Sequence, residues 1–242
     1  MLKLIRADLY KVWHRPFFYL LLAGMAVLAF LVNFSISRLS DGNFIFNSWM
    51  VVLFNFLSWP VLLMPILIDL VSAEEYKEHT LKNTVSCGIN RTKLYCAKVV
   101  VAILLGIVLG AVTLGAYCGS SLLLLKWNSS FTSAFAADFF RRVGVCCIGY
   151  AASLSIAAFF AALLQKNSLF VFAFYAAIFL PQLLLKLFHL SGFAKYFLLM
   201  PQFTLVASGS ARQIGESVLI FLLTWLAFLA AGTVLFRKKD IS

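Results

Sequence analysis

The side chains best suited to chemistry lie in one charged segment, residues 72–98, with the sequence SAEEYKEHTLKNTVSCGINRTKLYCAK. It carries two adjacent carboxylates, Glu74 and Glu75, and His79 follows them. An intramembrane protease with a Glu-Glu-x-x-x-Arg motif would need arginine where this chain has His79. The pair also lies outside the apolar runs that flank the segment. An intramembrane enzyme is therefore the weaker alternative.

Nucleotide chemistry has little support in this sequence. Gly88 followed by Lys93 is the only hint of a phosphate-binding loop, and it lacks both the second glycine and the Ser or Thr after the lysine. We expect no catalytic residue and no cofactor bound by this chain. Any ATP would have to be hydrolysed by a separate subunit.

Metal or disulfide chemistry is also not predicted. The three histidines, at 14, 79 and 189, are far apart in the sequence. The cysteines are odd in number and form no C-x-x-C pair. We interpret them as small apolar packing residues; they are Cys87, Cys96, Cys118, Cys146 and Cys147.

The composition is that of an integral membrane protein. The 242 residues are 63% hydrophobic and only 12% charged, and they include 25 Phe. Soluble domains are about 25% charged, and a soluble fold of this length could not bury so many phenylalanines. The net charge of +11 is interpreted as basic residues beside anionic lipid headgroups, not as a nucleic-acid surface.

Apolar runs long enough to cross a bilayer, about 20 residues each, predict an all-α protein with six transmembrane helices. The predicted spans are roughly Phe17–Phe34, Trp49–Ser72, Val99–Leu125, Phe139–Leu164, Leu169–Leu185 and Ser217–Phe236. Lys and Arg are denser in the termini and in the even-numbered connections. The bias of basic residues toward the cytoplasm then predicts that both termini are cytoplasmic.

The N-terminal segment 2–15 is predicted to be an amphipathic helix lying in the membrane interface. Its apolar side chains recur at steps of three and four, and Pro16 interrupts the helix before the first span. The alternative is a simple extension of that span. The predicted apolar face is Leu2, Ile5, Leu9 and Val12, with Lys3, Asp8 and Lys11 opposite and Arg6 among the basic residues.

The second span contains Pro60, Pro65 and Asp69. Proline bends a membrane helix, so a bend is predicted here. A carboxylate inside a span is costly unless it is paired or near the interface. We favour a position in the cytoplasmic headgroup layer for Asp69, and the alternative is a gating or coupling contact.

Small residues four positions apart allow helix backbones to approach closely. The third span has Gly106-x-x-x-Gly110 and Gly115-x-x-x-Gly119, and the fourth has Ser153, Ala157 and Ala161. These patterns favour helix packing and indicate nothing more specific.

The outer segment 187–215 is too apolar for a solvated loop and too interrupted by Gly192, Pro201 and Gly209 to span the membrane twice. Irregular backbone at membrane depth must be buried in protein or line a wet cavity. We therefore predict short helices that dip into the outer interface.

The charged segment is itself predicted to form a helix. Ser72 could cap it, with Glu75 three residues later as in a capping box, and Gly88 could end it. Asn90 would then cap the next helix, which continues into the third span. Apolar anchors with charges around them are typical of a docking surface for another protein.

At this point the sequence resembles the ABC-2 type permeases of ABC transporters. The resemblance rests on Glu75-x4-Thr80-Leu81, on Gly88-Ile89-x-Arg91 and on Tyr95-x-x-Lys98 in the charged segment. The opening LIRADLYKVW, the six predicted spans and the terminal LFRKKDI are also similar. The family commonly has Gly where this chain has His79, which affects the expected local turn.

The resemblance implies a single transmembrane domain over 1–242, in which 73–98 is the coupling loop and 2–15 the elbow helix. Two copies of a cytoplasmic ABC ATPase, carrying the ATP and Mg, would bind this domain and its partner, a second copy or a homologous permease. The implied ATPase contacts are Glu74, Glu75, Glu78, Thr80, Leu81, Lys82, Val85, Gly88, Ile89 and Arg91, with Leu2, Ile5, Arg6, Leu9 and Lys11 on the elbow helix.

The function expected from the resemblance is export of an amphiphilic substrate, such as an antimicrobial peptide or lantibiotic, across a prokaryotic plasma membrane. Export of a drug, an ion or a lipid-linked molecule is the alternative within the same class. A membrane scaffold or sensor that binds a cytoplasmic partner without transport is the alternative from another class.

Overall fold

The computed structural model of this chain describes residues 1–39, 43–44, 46–77, 90–127, 133–164, 169–188 and 199–238, which are almost entirely helical. The helices are α1 (Leu2–Trp13), α2 (Pro16–Leu39), α3 (Phe46–Phe56), α4 (Pro60–Lys77), α5 (Arg91–Leu124), α6 (Ser133–Leu164), α7 (Leu169–Leu187), α8 (Leu199–Ser208) and α9 (Ala211–Lys238). Two short strands, β1 (Asn43–Phe44) and β2 (Lys126–Trp127), pair in parallel. The sequence pattern does not predict this strand pair.

Five described stretches are long and apolar enough to cross a membrane: Pro16–Leu39, Ser48–Ser72, Arg91–Leu124, Ser133–Leu164 and Ala211–Arg237. The stretch Leu169–Leu185 is apolar but shorter. The expectation of a helical, multi-pass membrane protein is confirmed at this level, and these helices are consistent with six crossings.

The second crossing is broken into two helices. Helix α3 ends at Phe56, residues 57–59 form a turn, and α4 begins at Pro60. Proline has no N–H to donate and its fixed φ suits the first position of a helix. Pro60 therefore begins α4, whereas Pro65 lies inside it.

The predicted cap at Ser72 is wrong. Helix α4 runs from Pro60 to Lys77 without a break, so Ser72 lies in its interior. The apolar run before Ser72 is already helical, and the N–H groups that follow it can bond to carbonyls one turn back. There are no orphan donors at this point for a cap to satisfy.

Contacts between helix ends define two ends of the bundle. The loop end holds α1, the end of α4, the start of α5 and the end of α9. The strand end holds the β1–β2 pair, the starts of α3, α6 and α9, and helix α8. Both the first helix and the last turns of α9 thus lie at one end, as an even number of crossings requires.

The glycines of α5 test the predicted close packing. A β-carbon on Gly106 would lie 2.8 Å from Leu154 Cδ1, and one on Gly110 would lie 2.5 Å from Tyr150 Cε2. Around Gly115 and Gly119 a β-carbon would meet nothing within 4 Å among the described residues. The first Gly-x-x-x-Gly pattern therefore brings α5 against α6, and the second does not mediate such a contact.

Candidate functional site

The predicted coupling loop is described only at its two ends. Glu74 and Glu75 lie in the last turn of α4, and Arg91 is the first residue of α5. The other predicted ATPase contacts lie outside the described residues; they are Glu78, Thr80, Leu81, Lys82, Val85, Gly88 and Ile89. The described part of the site consists of the groups that anchor the two ends of this segment.

Asn90 fixes the point where the loop enters α5. Its side-chain Oδ1 accepts a hydrogen bond from the backbone N–H of Thr92 at 3.0 Å, and its own backbone is extended. This satisfies one of the N–H groups that a helix start leaves unpaired. The predicted cap at Asn90 is confirmed.

Two cationic side chains hold α4 shortly before the loop. The Arg15 guanidinium, from the junction of α1 and α2, donates to the Leu70 carbonyl at 3.2 Å. The Lys98 ammonium, from α5, donates to the Val71 carbonyl at 3.3 Å, and Lys98 is only 5% exposed. Charge-assisted hydrogen bonds are among the stronger polar contacts in a protein. Helix α4 is thus tied to both of its neighbours at the loop end.

Asp69 lies in the same turn of α4 as these two carbonyls, and it is half-buried. The cations of Arg15 and Lys98 therefore reach the turn that carries this carboxylate. That places Asp69 at the loop end of the bundle, away from the middle of the second crossing.

Helix α1 packs on α5 and α4 through most of the predicted apolar face, with Asp8 added to it. Asp8 and Val12 are buried, and Ile5 and Leu9 are half-buried. The prediction that Asp8 lies on the polar face is wrong. Asp8 follows Ile5 by three residues and precedes Val12 by four, and residues at these spacings lie on the same side of a helix. Leu2, Arg6 and Lys11 are exposed.

The end of α9 completes the loop end. The ring of Tyr95, in the second turn of α5, lies 5.7 Å from the ring of Phe236. Gly232 faces the Tyr95 hydroxyl so closely that a β-carbon would collide with it. The helix that leads from the loop into the membrane is therefore packed against the last helix of the bundle.

At the strand end, Arg142 holds the C-terminal end of α8. Its guanidinium donates to the carbonyls of Val206, Ala207 and Gly209, the last two at 3.1 and 3.3 Å. It also pairs with Asp138 one turn earlier in α6, at 2.7 Å. The last carbonyls of a helix lack hydrogen-bond donors within the helix and carry partial negative charge. The Arg142 guanidinium supplies both the donors and a compensating positive charge.

A cleft of about 340 Å³ opens beside α8 and the start of α9. Its polar groups include Gln202, whose Oε1 accepts from the Ser217 hydroxyl at 2.8 Å, and an Arg212–Glu216 ion pair at 3.3 Å. The lining residues are Gln202, Leu205, Ser210, Arg212, Gln213, Glu216 and Ile220. Five of these seven residues lie in the predicted outer segment 187–215, whose described helical parts include α8 and the first turn of α9.

Sequence reasoning missed the roles of Arg15 and Arg142. The sequence marks both only as basic residues near the start of a predicted span. Asp138 four residues before Arg142 is the i,i+4 spacing of an ion pair, which is a usable signal. The carbonyl partners could not be read from the sequence, because they are distant in the chain.

In the described residues, no group of three His, Cys, Asp or Glu could hold a metal ion.

These features define a helical multi-pass membrane protein in which both flanks of one polar loop are anchored to neighbouring helices. The chain matches the family model of the ABC-2 family transporter protein over residues 4–182, more than half of its length, and it belongs to that family. The family consists of membrane components of ABC transporters, which typically work with a cytoplasmic ATPase. No curated protein sequence gives a significant match to the chain.

Proposed function

We propose that this chain is the permease subunit of an ATP-driven exporter. In this proposal a separate ATPase binds loop 73–98 and moves it when ATP is bound and hydrolysed. The observation that carries the proposal is the anchoring of both flanks of the loop. Asn90 caps the start of α5, and Arg15 and Lys98 hold α4.

Anchored flanks matter because a loop joined to loosely packed helices could be displaced without displacing the membrane-spanning helices. Here α4 and α5 are joined directly by the Lys98 bond to Val71 and are both packed against α1. A displacement of the loop is then passed to two crossings together. The exposed side chains Arg6 and Lys11 of α1 lie at the same end and suit a second ATPase contact.

In this proposal two ATPase copies bind the ATP and Mg, and this chain supplies no catalytic group. A second copy of the chain, or a homologous permease, completes the pathway. Both termini and the coupling loop face the cytoplasm of a prokaryotic plasma membrane.

The proposed substrate is amphiphilic, such as an antimicrobial peptide or lantibiotic. The crossings are apolar and poor in charge, whereas the strand end presents the polar cleft lined by Gln202, Arg212 and Glu216. A substrate with an apolar body and a polar part would meet both kinds of surface.

The test is recovery of the ATPase with the tagged chain from membranes of its own host. We expect an ABC ATPase to co-purify with the wild-type chain and with Arg212→Ala, which alters only the strand end. Leu81→Asp and Glu75→Lys should each weaken recovery by about tenfold, equivalent to about 1.4 kcal/mol of binding. Undiminished recovery with both loop variants would show that the docking surface is misplaced.

Measurements in proteoliposomes then distinguish a transporter from a scaffold. ATP turnover that rises with a cationic amphiphilic peptide, together with uptake of that peptide into inverted vesicles, supports an exporter. A stable complex whose turnover and vesicle contents do not respond to peptides, drugs or lipid-linked molecules would instead identify a scaffold.

A further inference from the structure

The break in the second crossing leaves a backbone carbonyl without its usual helical partner. Around residues 57–59 the backbone bonds tighten to three-residue steps: Val61 donates to Ser58 at 3.2 Å, and Leu62 donates to Trp59 at 3.0 Å. In a regular helix the N–H of Val61 would serve the carbonyl of Leu57. Because it serves Ser58, the Leu57 carbonyl must find another donor.

Tyr150 of α6 supplies that donor. Its hydroxyl lies 2.6 Å from the Leu57 carbonyl oxygen, and the tyrosine is 2% exposed. Within a bilayer no water is available to satisfy a freed carbonyl, so broken helices rely on such neighbours. A second tyrosine, Tyr175 of α7, donates to the Leu62 carbonyl at 2.6 Å, one turn further into α4.

The ring of Tyr150 contacts a different part of the molecule from its hydroxyl. It stacks on Phe203 of α8, with ring centroids 6.0 Å apart and planes inclined by 27°. Phe203 in turn lies 5.1 Å from Phe221 of α9. The ring also fills the space opposite Gly110, where a β-carbon would lie 2.5 Å away. One side chain therefore joins the break in the second crossing to α8.

The two halves of the second crossing have different neighbours. Helix α3 packs mainly on α8 at the strand end, whereas α4 packs on α5, α6 and α7. Arg15 and Lys98 tie α4 to the loop end. A rod divided at 57–59, with each half bound to its own partners, can bend at the division without unfolding either half.

We propose that residues 57–59 form a hinge between α3 and α4, and that Tyr150 is the positioning residue that holds this hinge and links it to α8. Only the driving force, a push on α4 from the coupling loop, rests on the proposed function. When α4 moves, the Leu57 carbonyl carries Tyr150 with it, and the stacked Phe203 moves α8 and the cleft at the strand end.

The first test is amide hydrogen exchange, resolved to single residues, on the full chain in nanodiscs without an ATPase. Tyr150→Phe removes only the hydroxyl, and Tyr175→Phe is the matched control because it removes a bond of the same length to a carbonyl inside α4. We expect exchange at Val61 and Leu62 to rise about fivefold in Tyr150→Phe, as loss of one hydrogen bond implies. Tyr175→Phe should leave these two amides unchanged.

Gly110→Ala provides an independent perturbation. Its β-carbon displaces the Tyr150 ring without removing the hydroxyl, so it should raise exchange at the same two amides. Unchanged exchange in both Tyr150→Phe and Gly110→Ala, or an equal rise in Tyr175→Phe, would overturn the hinge.

The link to α8 is tested in the complex with the ATPase. Addition of a non-hydrolysable ATP analogue should alter exchange across residues 199–208 in the wild type, and Tyr150→Phe should reduce that response by at least about fivefold. An undiminished response would overturn the link. If no ATPase co-purifies, the proposed function fails, while exchange in the isolated chain still decides the hinge.

Discussion

Arg142 of α6 donates to the Ala207 carbonyl of α8 at 3.1 Å, although the two residues are far apart in the chain. The same guanidinium reaches the carbonyls of Val206 and Gly209. A short helix of ten residues is marginal by itself in solution. One buried cation thus contributes to the orientation of α8 against the bundle, beside the ring contacts of Phe203.

Arg142→Met should therefore loosen α8. Methionine keeps the apolar stem but removes every donor, so buried carbonyls at the end of α8 lose their partners. We expect the free energy of unfolding to fall by about 2–4 kcal/mol, measured by denaturant titration in mild detergent. Arg141→Met is the control, because Arg141 pairs with the same carboxylate from a 46% exposed position. A similar loss in both variants would show that the pair with Asp138, and not α8, is what matters.

The helical segments could be predicted because apolar runs of membrane length and Pro or Asn at helix starts act locally. Pro16, Pro60 and Asn90 each mark a helix start, and all three do so through their own backbone or side chain. The β1–β2 pair and the carbonyl partners of Arg15, Lys98 and Tyr150 could not be predicted. Each depends on which helices become neighbours, and periodicity does not specify that.

The contact between α2 and α5 includes a polar bond in an apolar interface. The Asn33 side-chain amide donates to the Tyr117 carbonyl at 2.8 Å and to the Ser120 hydroxyl at 2.7 Å, and Asn33 is fully buried. Asn33→Leu should lower the free energy of unfolding by about 0.6–1.7 kcal/mol, the range for such bonds between membrane helices. Ser35→Ala is the control, because the Ser35 hydroxyl bonds to a carbonyl of its own helix, that of Leu31. Equal effects would mean that the interhelical bond contributes nothing.

Asn90→Ala should fray the start of α5. Loss of an N-cap costs about 1 kcal/mol, so amide exchange at Thr92 should rise about fivefold in the isolated chain. Asn90→Ser retains a capping oxygen and should restore slow exchange. Failure of serine to restore it would indicate that the amide contributes through something other than the cap.

Gly232→Ala should separate α9 from α5 at the loop end. The added methyl group would collide with the hydroxyl of Tyr95, which is 4% exposed and has little room to move. Overpacking of this kind costs about 1–3 kcal/mol, to be measured by thermal unfolding in detergent. Gly215→Ala, in the same helix but with open space around it, should be neutral or slightly stabilising. A neutral Gly232→Ala would mean that α9 can shift away from α5 at little cost.

The compartment that each end faces is predicted from the distribution of basic residues. Lys93 at the loop end and Arg212 at the strand end are both exposed and suit this measurement. In a background without native cysteines, Arg212→Cys should react with a membrane-impermeant maleimide added to intact cells, and Lys93→Cys should react only after permeabilisation. This result is expected because Lys and Arg are in excess around the loop end, and the end of a membrane protein that is richer in basic residues faces the cytoplasm. Labelling of Lys93→Cys from outside would place the coupling loop on the side without ATP, and the proposed exporter could not then be driven through it.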